Sequence, residues 1–355
     1  MAWIRNRPTG LVYHDVEQAQ AGHALVPQDD HVVLIDGASG AVAHAWPTPR
    51  GTMYARLLPD GNLVATVGGD PKAPPKIANG EYEAIVEIDP TGKTVWEYAG
   101  ERLHHDLWRL DDGSYHVLGF EAMSESMSRS IRGGAIHADD PARIWGDTIE
   151  HIQRNGRRET VWRASEHLDP ETQVLCPLDN RKEWTHANSL RVMRDGNWLL
   201  SLRLTSTVVK LDRTTGKLLW SWGAGLTSHQ HDARELENGH IMVFDNGVHR
   251  LRAPGFARVL EVDPATDAIV WQYTDRTILA FQSFMAGGAQ RLDNGNTFIT
   301  EAATGRLFQV TPRGETVWEW VNGQLVDTVF GPTPVVFRSH WYRRGDPRLP
   351  ARLLG

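Results

Sequence analysis

A chain of 355 residues with 41% hydrophobic and 23% charged residues has the composition of an ordinary globular protein. Its net charge of −7 argues against nucleic acid as a partner, and no apolar run reaches the length of a membrane span. One cysteine, Cys176, excludes an intrachain disulfide. The N-terminal stretch has basic residues but no apolar core of a secretory signal, so the expected location is the cytoplasm.

In chain order, the sequence repeats one strand pair. Alternating apolar residues run into an acidic or polar residue, a Gly- or Asp-containing turn, and a second run ending in Trp. The copies are HVVLIDGASGAVAHAW to Trp46, EAIVEIDPTGKTVW to Trp96 and TIEHIQRNGRRETVW to Trp162. They continue with VVKLDRTTGKLLW to Trp220, RVLEVDPATDAIVW to Trp271 and RLFQVTPRGETVW to Trp318. Period-two alternation broken by such turns signals β-hairpins. Between them lie strand–turn–strand segments with D/N-G turns: YARLLPDGNLVATV, HDLWRLDDGSYHVLGF, HANSLRVMRDGNWLLSLR, HDARELENGHIMVF and GAQRLDNGNTFIT. Six Trp hairpins and five inner hairpins predict an all-β, six-bladed β-propeller spanning 1–355 as one domain. Blade six is shared between the termini: VVFRSHWY supplies its inner strand and residues from about Gly22 to Trp46 its outer three. This clasp removes free sheet edges. The repeated Trp is expected to pack between blades. Insertions at 69–79, 123–147 and 165–183 fall outside the repeat and are expected to form loops at the rim of one face.

Aligned on Gly61, Gly113, Gly196, Gly239 and Gly295, the inner strands bring histidines into register. His105 and His231 each precede their turn glycine by eight residues and are each followed by Asp; His186 precedes Gly196 by ten and Asn188 by eight. His104 and His229 flank the H-D pairs, and His340 lies in the closing strand. The other ten histidines, His116, His240 and His249 among them, lack this register and read as surface or structural residues. A lone strand histidine is usually a hydrogen-bonded core residue. Several converging at the upstream ends of inner strands point to shared protons, a metal or a bound anion. Arg203, in SLR, is a fork donor suited to an oxyanion; its structural alternative is an ion pair with Glu121, Asp245 or Glu301.

WTHANS (184–189), SLR (201–203), HQHDARELENG (229–239), FDNG (244–247) and RLDNGNTFIT (291–300) resemble signature stretches of the bacterial arylsulfotransferases. The resemblance covers nearly the whole chain and makes it similar to a short, single-propeller member. It implies a six-bladed propeller in which a histidine takes a sulfuryl group from an aryl sulfate and passes it to a phenol, with no cofactor. The nucleophile falls on His231, the H-x-N pair on His186 and Asn188, the sulfuryl-holding arginine on Arg203, and a further histidine on His105. His104, His229, His340 and Tyr54 are expected to contact substrate, and Asp232 or Asp106 could orient a ring. The small-molecule substrate is expected to be aromatic, with neither nucleic acid nor membrane as partner.

Two other readings stand beside this one. Imidazoles from several strands can ligate a divalent transition metal in a lyase or hydrolase acting on a small polar or aromatic substrate. The ligands would be His105, His186, His231 and His340, joined by Gln230 or Gln282. Alternatively, the chain is a non-catalytic binding propeller, since fold alone does not settle function.

Overall fold

The computed structural model describes residues 8–68, 77–138, 140–250, 253–328 and 331–349. The chain forms two compact units: Met1–Pro74, Glu83–Ala99 and Thr274–Gly355 make the first, Pro75–Tyr82 and Gly100–Tyr273 the second.

The fold is an all-β propeller fold built from antiparallel meanders. In the first unit Gly288–Arg291, Thr297–Glu301, Arg306–Val310 and Thr316–Val321 pair in sequence, and Gly10–His14 adds a fifth strand beside Thr316–Val321. A second sheet of that unit has His340–Arg343 beside Gly22–Pro27, followed by His31–Asp36 and Val42–Pro47. Its register places Gly22 opposite Arg343 and Leu25 opposite His340, so the C-terminal strand covers what would otherwise be an open edge. In the second unit Ala187–Val192, Trp198–Leu202, Thr207–Leu211 and Leu218–Trp222 form one sheet. His231–Glu235, Ile241–Asp245, Arg258–Asp263 and Ala268–Tyr273 form another.

These four sheets stand separately, where the repeat predicts six separate blades. The difference arises at Thr94–Arg109, a single strand of 16 residues. Its N-terminal part closes the series Tyr54–Leu57, Leu63–Val67 and Glu81–Ile88. Its C-terminal part opens the series Tyr115–Ala122, Trp145–Ile152 and Arg158–Arg163. Between Trp96 and His104 the chain has no proline or turn pair to break it, so the two expected blades share one strand and one sheet.

At four of the six Trp-hairpin turns the residue is an aspartate, Asp36, Asp89, Asp212 or Asp263, and it has a local job. Asp36 accepts from the backbone N–H of Ala38 and Ser39, and Asp212 from those of Thr214 and Thr215, at 2.7–3.1 Å. These Asx turns fix the hairpins, and each following ladder slips by one residue. Trp46, Trp162 and Trp318 are buried, while Trp96, Trp220 and Trp271 are only half-buried. Two of the three buried indoles reach a turn of another sheet in the same unit: Trp162 donates to Gly216 O at 3.1 Å and Trp318 to Gly37 O at 2.7 Å.

Of the insertions, residues 69–76 lie outside the described residues. Those at 123–147 and 165–183 pack together in the second unit. The helix Glu125–Ser130 is capped by Ser124, whose Oγ accepts from Met127 N at 3.2 Å. Met123, Ile131, Ile144, Leu168 and Leu175 enter the same buried core as Trp162, Trp184 and Trp198. A bridge between Gly133 and Leu175, and a hydrogen bond from Arg181 to Ile131 O at 2.8 Å, tie one insertion to the other. Among the described residues no helix is long and apolar enough to cross a membrane.

Candidate active site

The inner strands of the second unit lose register where the sequence places its histidines. Their ladders slip between Leu103 and Leu107, between Ala187 and Ser189, and between His231 and Arg234. Such bulges re-aim side chains. Nine described non-glycine residues have positive φ, and four are histidines: His105 (55°), His186 (60°), His229 (59°) and His249 (61°). That backbone region costs an L-residue about 1–3 kcal/mol and concentrates where function over-determines the conformation.

Next to the imidazoles in the chain lies a buried ionic cluster. Arg191 donates through Nη1 to Asp106 Oδ2 at 2.6 Å and through Nη2 to Asp232 Oδ1 at 2.9 Å. Both aspartates are fully buried. The two H-D aspartates therefore clamp three inner strands through one guanidinium, where orienting a ring had been considered.

His104 is fully buried, stacked on Phe120 with ring centroids 3.8 Å apart. Burial and the nearby His186 pull its pKa down to about 3, so the ring is neutral near neutral pH. Its Nε2 then donates to Gly119 O at 3.2 Å, with Asp147 Oδ1 at 3.3 Å, and its Nδ1 accepts from His105 Nδ1 at 2.9 Å. This fixes the His105 tautomer with its proton on Nδ1. Asp147, buried beneath the Glu183–His186 segment, accepts through Oδ2 from Thr185 N, Thr185 Oγ1 and Ala187 N at 2.8–3.0 Å. Burial lifts its pKa to about 6. The His105 ring also lies against Gly80, where any side chain would collide with it.

His105 and His186 meet edge to face, centroids 4.6 Å apart. His186 Nδ1 is 2.8 Å from Glu183 Oε2. Burial, with Arg203 beside it, lowers His186 to about 3, and burial raises Glu183 to about 8. Both groups are therefore uncharged at neutral pH: the carboxyl donates to Nδ1, and Nε2 carries the ring proton.

His231 has the opposite tautomer. Its Nδ1 faces two acceptors, Asn246 Oδ1 at 2.7 Å and His229 O at 3.2 Å, so the proton sits on Nδ1 and Nε2 is the basic nitrogen. Asn188 donates through Nδ2 to Gln230 O at 2.8 Å. Gln230 turns its own amide inward, donating to Leu202 O and Thr207 O at 3.0 and 2.8 Å, and so braces the backbone, where metal ligation had been considered.

Arg203 does not pair with Glu121, Asp245 or Glu301. Glu121 meets Arg163 at 2.9 Å, Asp245 meets Arg250 and Arg258 at 2.9 and 2.7 Å, and Glu301 meets Arg306 at 3.4 Å. The acid nearest Arg203 is Asp179, with Nη1 4.0 Å from Oδ1. His229 lies on the other side of Asp179, Nε2 to Oδ2 at 2.6 Å, and its Nδ1 donates to Val248 O at 2.9 Å. The His229–Arg203 flank holds the carboxyl of Asp179 below the usual carboxylate range despite burial.

The second unit thus contains His104, His105, His186, Asn188, Arg203, His229 and His231. Tyr54 and His340 belong to the first unit, where His340 Nε2 lies 3.3 Å from Tyr54 Oη and the Arg338 guanidinium sits 5.3 Å over the Tyr54 ring. Gln282 is also there, its backbone N–H donating to Glu301 Oε1 at 3.1 Å. The first unit has a polar surface cleft of about 410 Å³ lined by Gln290, Asp293, Arg343 and Arg348, without a histidine. Among the described residues, the donor atoms brought within 4.8 Å of one another as a metal-ligand group are those of Cys176, Asp179, His229 and His249, a set not anticipated from sequence. Glu183, Asp147 and Asn246 were also missed. A signal existed for two of them: Glu183 stands three residues before His186, and Asn246 lies in the FDNG stretch.

The fold has relatives of remote sequence. A protein of unknown function from Bacteroides caccae superposes with a TM-score of 0.57 at 16% identity, over 91% of this chain and 99% of that one. A streptogramin B lyase gives 0.51 at 10% identity, over 94% and 93%. Hydrazine synthase of Kuenenia stuttgartiensis gives 0.51 at 12%, over 88% and 89%. At such identities the likeness is one of fold. No curated protein matches the chain in sequence. The family described as Arylsulfotransferase (ASST), however, matches over residues 81–323, which hold the inner strands with His104, His105, His186, Arg203, His229 and His231. The chain belongs to the arylsulfotransferase family.

Proposed function

We propose that the chain transfers a sulfuryl group from an aryl sulfate to a phenolic acceptor, with His231 Nε2 as nucleophile. The observation that carries this reading is the pair of acceptors, Asn246 Oδ1 and His229 O, on His231 Nδ1: it leaves the Nε2 lone pair as the reacting one. Nε2 attacks sulfur and the bond from sulfur to the aryl oxygen breaks. His186 Nε2–H protonates the departing phenolate, and the Glu183 carboxyl restores a proton at His186 Nδ1. An incoming phenol then attacks sulfur, the S–N bond breaks, and the phenol proton returns through His186 to Glu183. Arg203 supplies the charged donor for the sulfuryl oxygens, and the N–H of Asn188 Nδ2 that does not serve Gln230 O the amide donor. Within this reading the shared strand Thr94–Arg109 counts towards two blades, which gives six.

The test is mass spectrometry of the intact protein after brief mixing with excess chromogenic aryl sulfate. The expected result is a mass gain of one sulfuryl group, absent in His231→Ala, whose turnover falls by about three orders of magnitude or more while the fold is kept. An adduct or undiminished turnover in that variant would overturn the assignment.

A further inference from the structure

A thiol, a carboxylate and two imidazoles converge beside Arg203, from three separate segments: Cys176 and Asp179 from one turn, His229 ahead of an inner strand, and His249 from the loop after Ile241–Asp245. We propose that Cys176, Asp179, His229 and His249 form a four-coordinate site for a zinc-like divalent metal. This inference does not rest on the sulfuryl-transfer reading.

The distances are those of a ligand set. Cys176 Sγ is 3.4 Å from His249 Nδ1, and His249 Nδ1 is 3.8 Å from Asp179 Oδ1. Donors of a tetrahedral zinc, with bonds of about 2.0–2.3 Å, stand roughly 3.3–3.8 Å apart. His229 Nε2 and Asp179 Oδ2 are closer, at 2.6 Å, because a proton lies between them. Replacing that proton by a metal needs an opening of under about 1 Å. All four donors already lie within 4.8 Å of one another.

A catalytic triad would need the cysteine and the acid on opposite nitrogens of the imidazole. Here the thiol and the carboxylate both face the same atom, Nδ1 of His249. That arrangement places donors around a common centre.

The supporting contacts also fit. Metal-bound imidazoles donate their other N–H to a carbonyl or carboxylate, which fixes ring and tautomer. His229 does this through Nδ1 to Val248 O at 2.9 Å, the carbonyl preceding the fourth ligand. Cys176-Pro-Leu-Asp179 is a tight turn, closed by Asp179 N donating to Cys176 O at 3.1 Å, so two ligands come from one knuckle. One thiolate, two imidazoles and one carboxylate favour zinc or cobalt over magnesium or calcium, which take oxygen donors. Thiolate and carboxylate together balance a divalent charge, which makes the nearby Arg203 tolerable. Cys176 and His249 are part-exposed while His229 is buried, which leaves a path for the ion from solvent.

The test uses the full chain, stripped with chelator and titrated with Co²⁺. One equivalent should give the intense visible bands of four-coordinate cobalt and a near-ultraviolet thiolate-to-cobalt band, both displaced by Zn²⁺. The thiolate band should vanish in Cys176→Ser, and His249→Ala should weaken binding by at least about tenfold. A six-coordinate spectrum, or an unchanged band in Cys176→Ser, would overturn the proposal. If the variants fail to fold, the wild type still decides. Cys176 is the chain's one cysteine, so stoichiometric Zn²⁺ should slow its reaction with a thiol reagent; unaltered reactivity counts against the site. Because each readout follows metal, an absence of aryl sulfate turnover would leave the result standing.

Discussion

Among single residues, His186 and Glu183 show how burial sets protonation. Each is in contact with the other, yet burial moves both towards neutrality, His186 down to about 3 and Glu183 up to about 8. The two shifts act oppositely on stability. A carboxyl whose folded pKa is raised favours the folded state below its unfolded value of 4.5, and that stability is lost as pH rises through about 8. A histidine whose folded pKa is lowered favours the folded state above 6.5, and that stability is lost as pH falls towards 3; His104 behaves the same way. Glu183→Gln keeps a donor for His186 Nδ1 but cannot ionise. Its stability relative to wild type should therefore climb between pH 4.5 and 8, in thermal melts taken across that range. A constant difference at every pH would show that Glu183 is ionised in the folded protein.

At the scale of elements, the three inner strands of the second unit are joined by one side chain. Arg191 leaves its own strand Ala187–Val192 to meet Asp106 on Thr94–Arg109 and Asp232 on His231–Glu235. Backbone N–H groups of Leu107 and Leu190 also donate to Asp106, at 2.9 and 3.1 Å. The imidazoles stand on the strand ends that this clamp aligns. Removing Arg191 takes the guanidinium from buried Asp106 in a medium that solvates charge poorly, while Asp232 keeps Arg234 at 2.6 Å. Arg191→Met should accordingly cost about 3–5 kcal/mol, read from urea unfolding. A cost below about 1 kcal/mol would mean that the aspartates are solvated or protonated instead. Histidine placement should suffer together with stability, because the bulges at Leu103–Leu107 and His231–Arg234 flank the clamped aspartates.

For the molecule as a whole, the C-terminal strand connects distant parts of the sequence within the first unit. His340–Arg343 pairs with Gly22–Pro27, and Trp341 packs edge to face on Trp318 with centroids 5.0 Å apart. Tyr342 Oη accepts from Leu57 N at 2.8 Å, which ties the same strand to another sheet of the unit. Deleting the chain from His340 onwards would remove a buried tryptophan and bare the edge of Gly22–Pro27. The expected loss is at least the ~3–5 kcal/mol of such a tryptophan, with self-association through the exposed edge. Thermal melting and size-exclusion chromatography check both; a monomer of unchanged melting temperature would refute this role.

The repeat was legible because its signals are local. Period-two alternation, an acidic or polar residue at the Trp-hairpin turns and Gly at the inner turns each act within a few residues, so six Trp hairpins, five inner hairpins and the register of His105, His186 and His231 could be read directly. Local signals could not reveal that Thr94–Arg109 runs through as one strand, because nothing between Trp96 and His104 marks where pairing changes partner. They could not separate the H-D aspartates from the imidazoles they follow either. Neighbours on a strand point to opposite faces, and only the packed sheets show Asp106 and Asp232 turned to Arg191. Cys176, Asp179 and His249 carry no register at all, since they come from an insertion and a loop. By itself the sequence determined the strand repeat, the family and the histidines on inner strands. Tertiary structure alone decided each ring's tautomer, Arg203's neighbour and the Cys–Asp–His–His cluster, because each depends on long-range contacts whose partners the chain's local pattern does not encode.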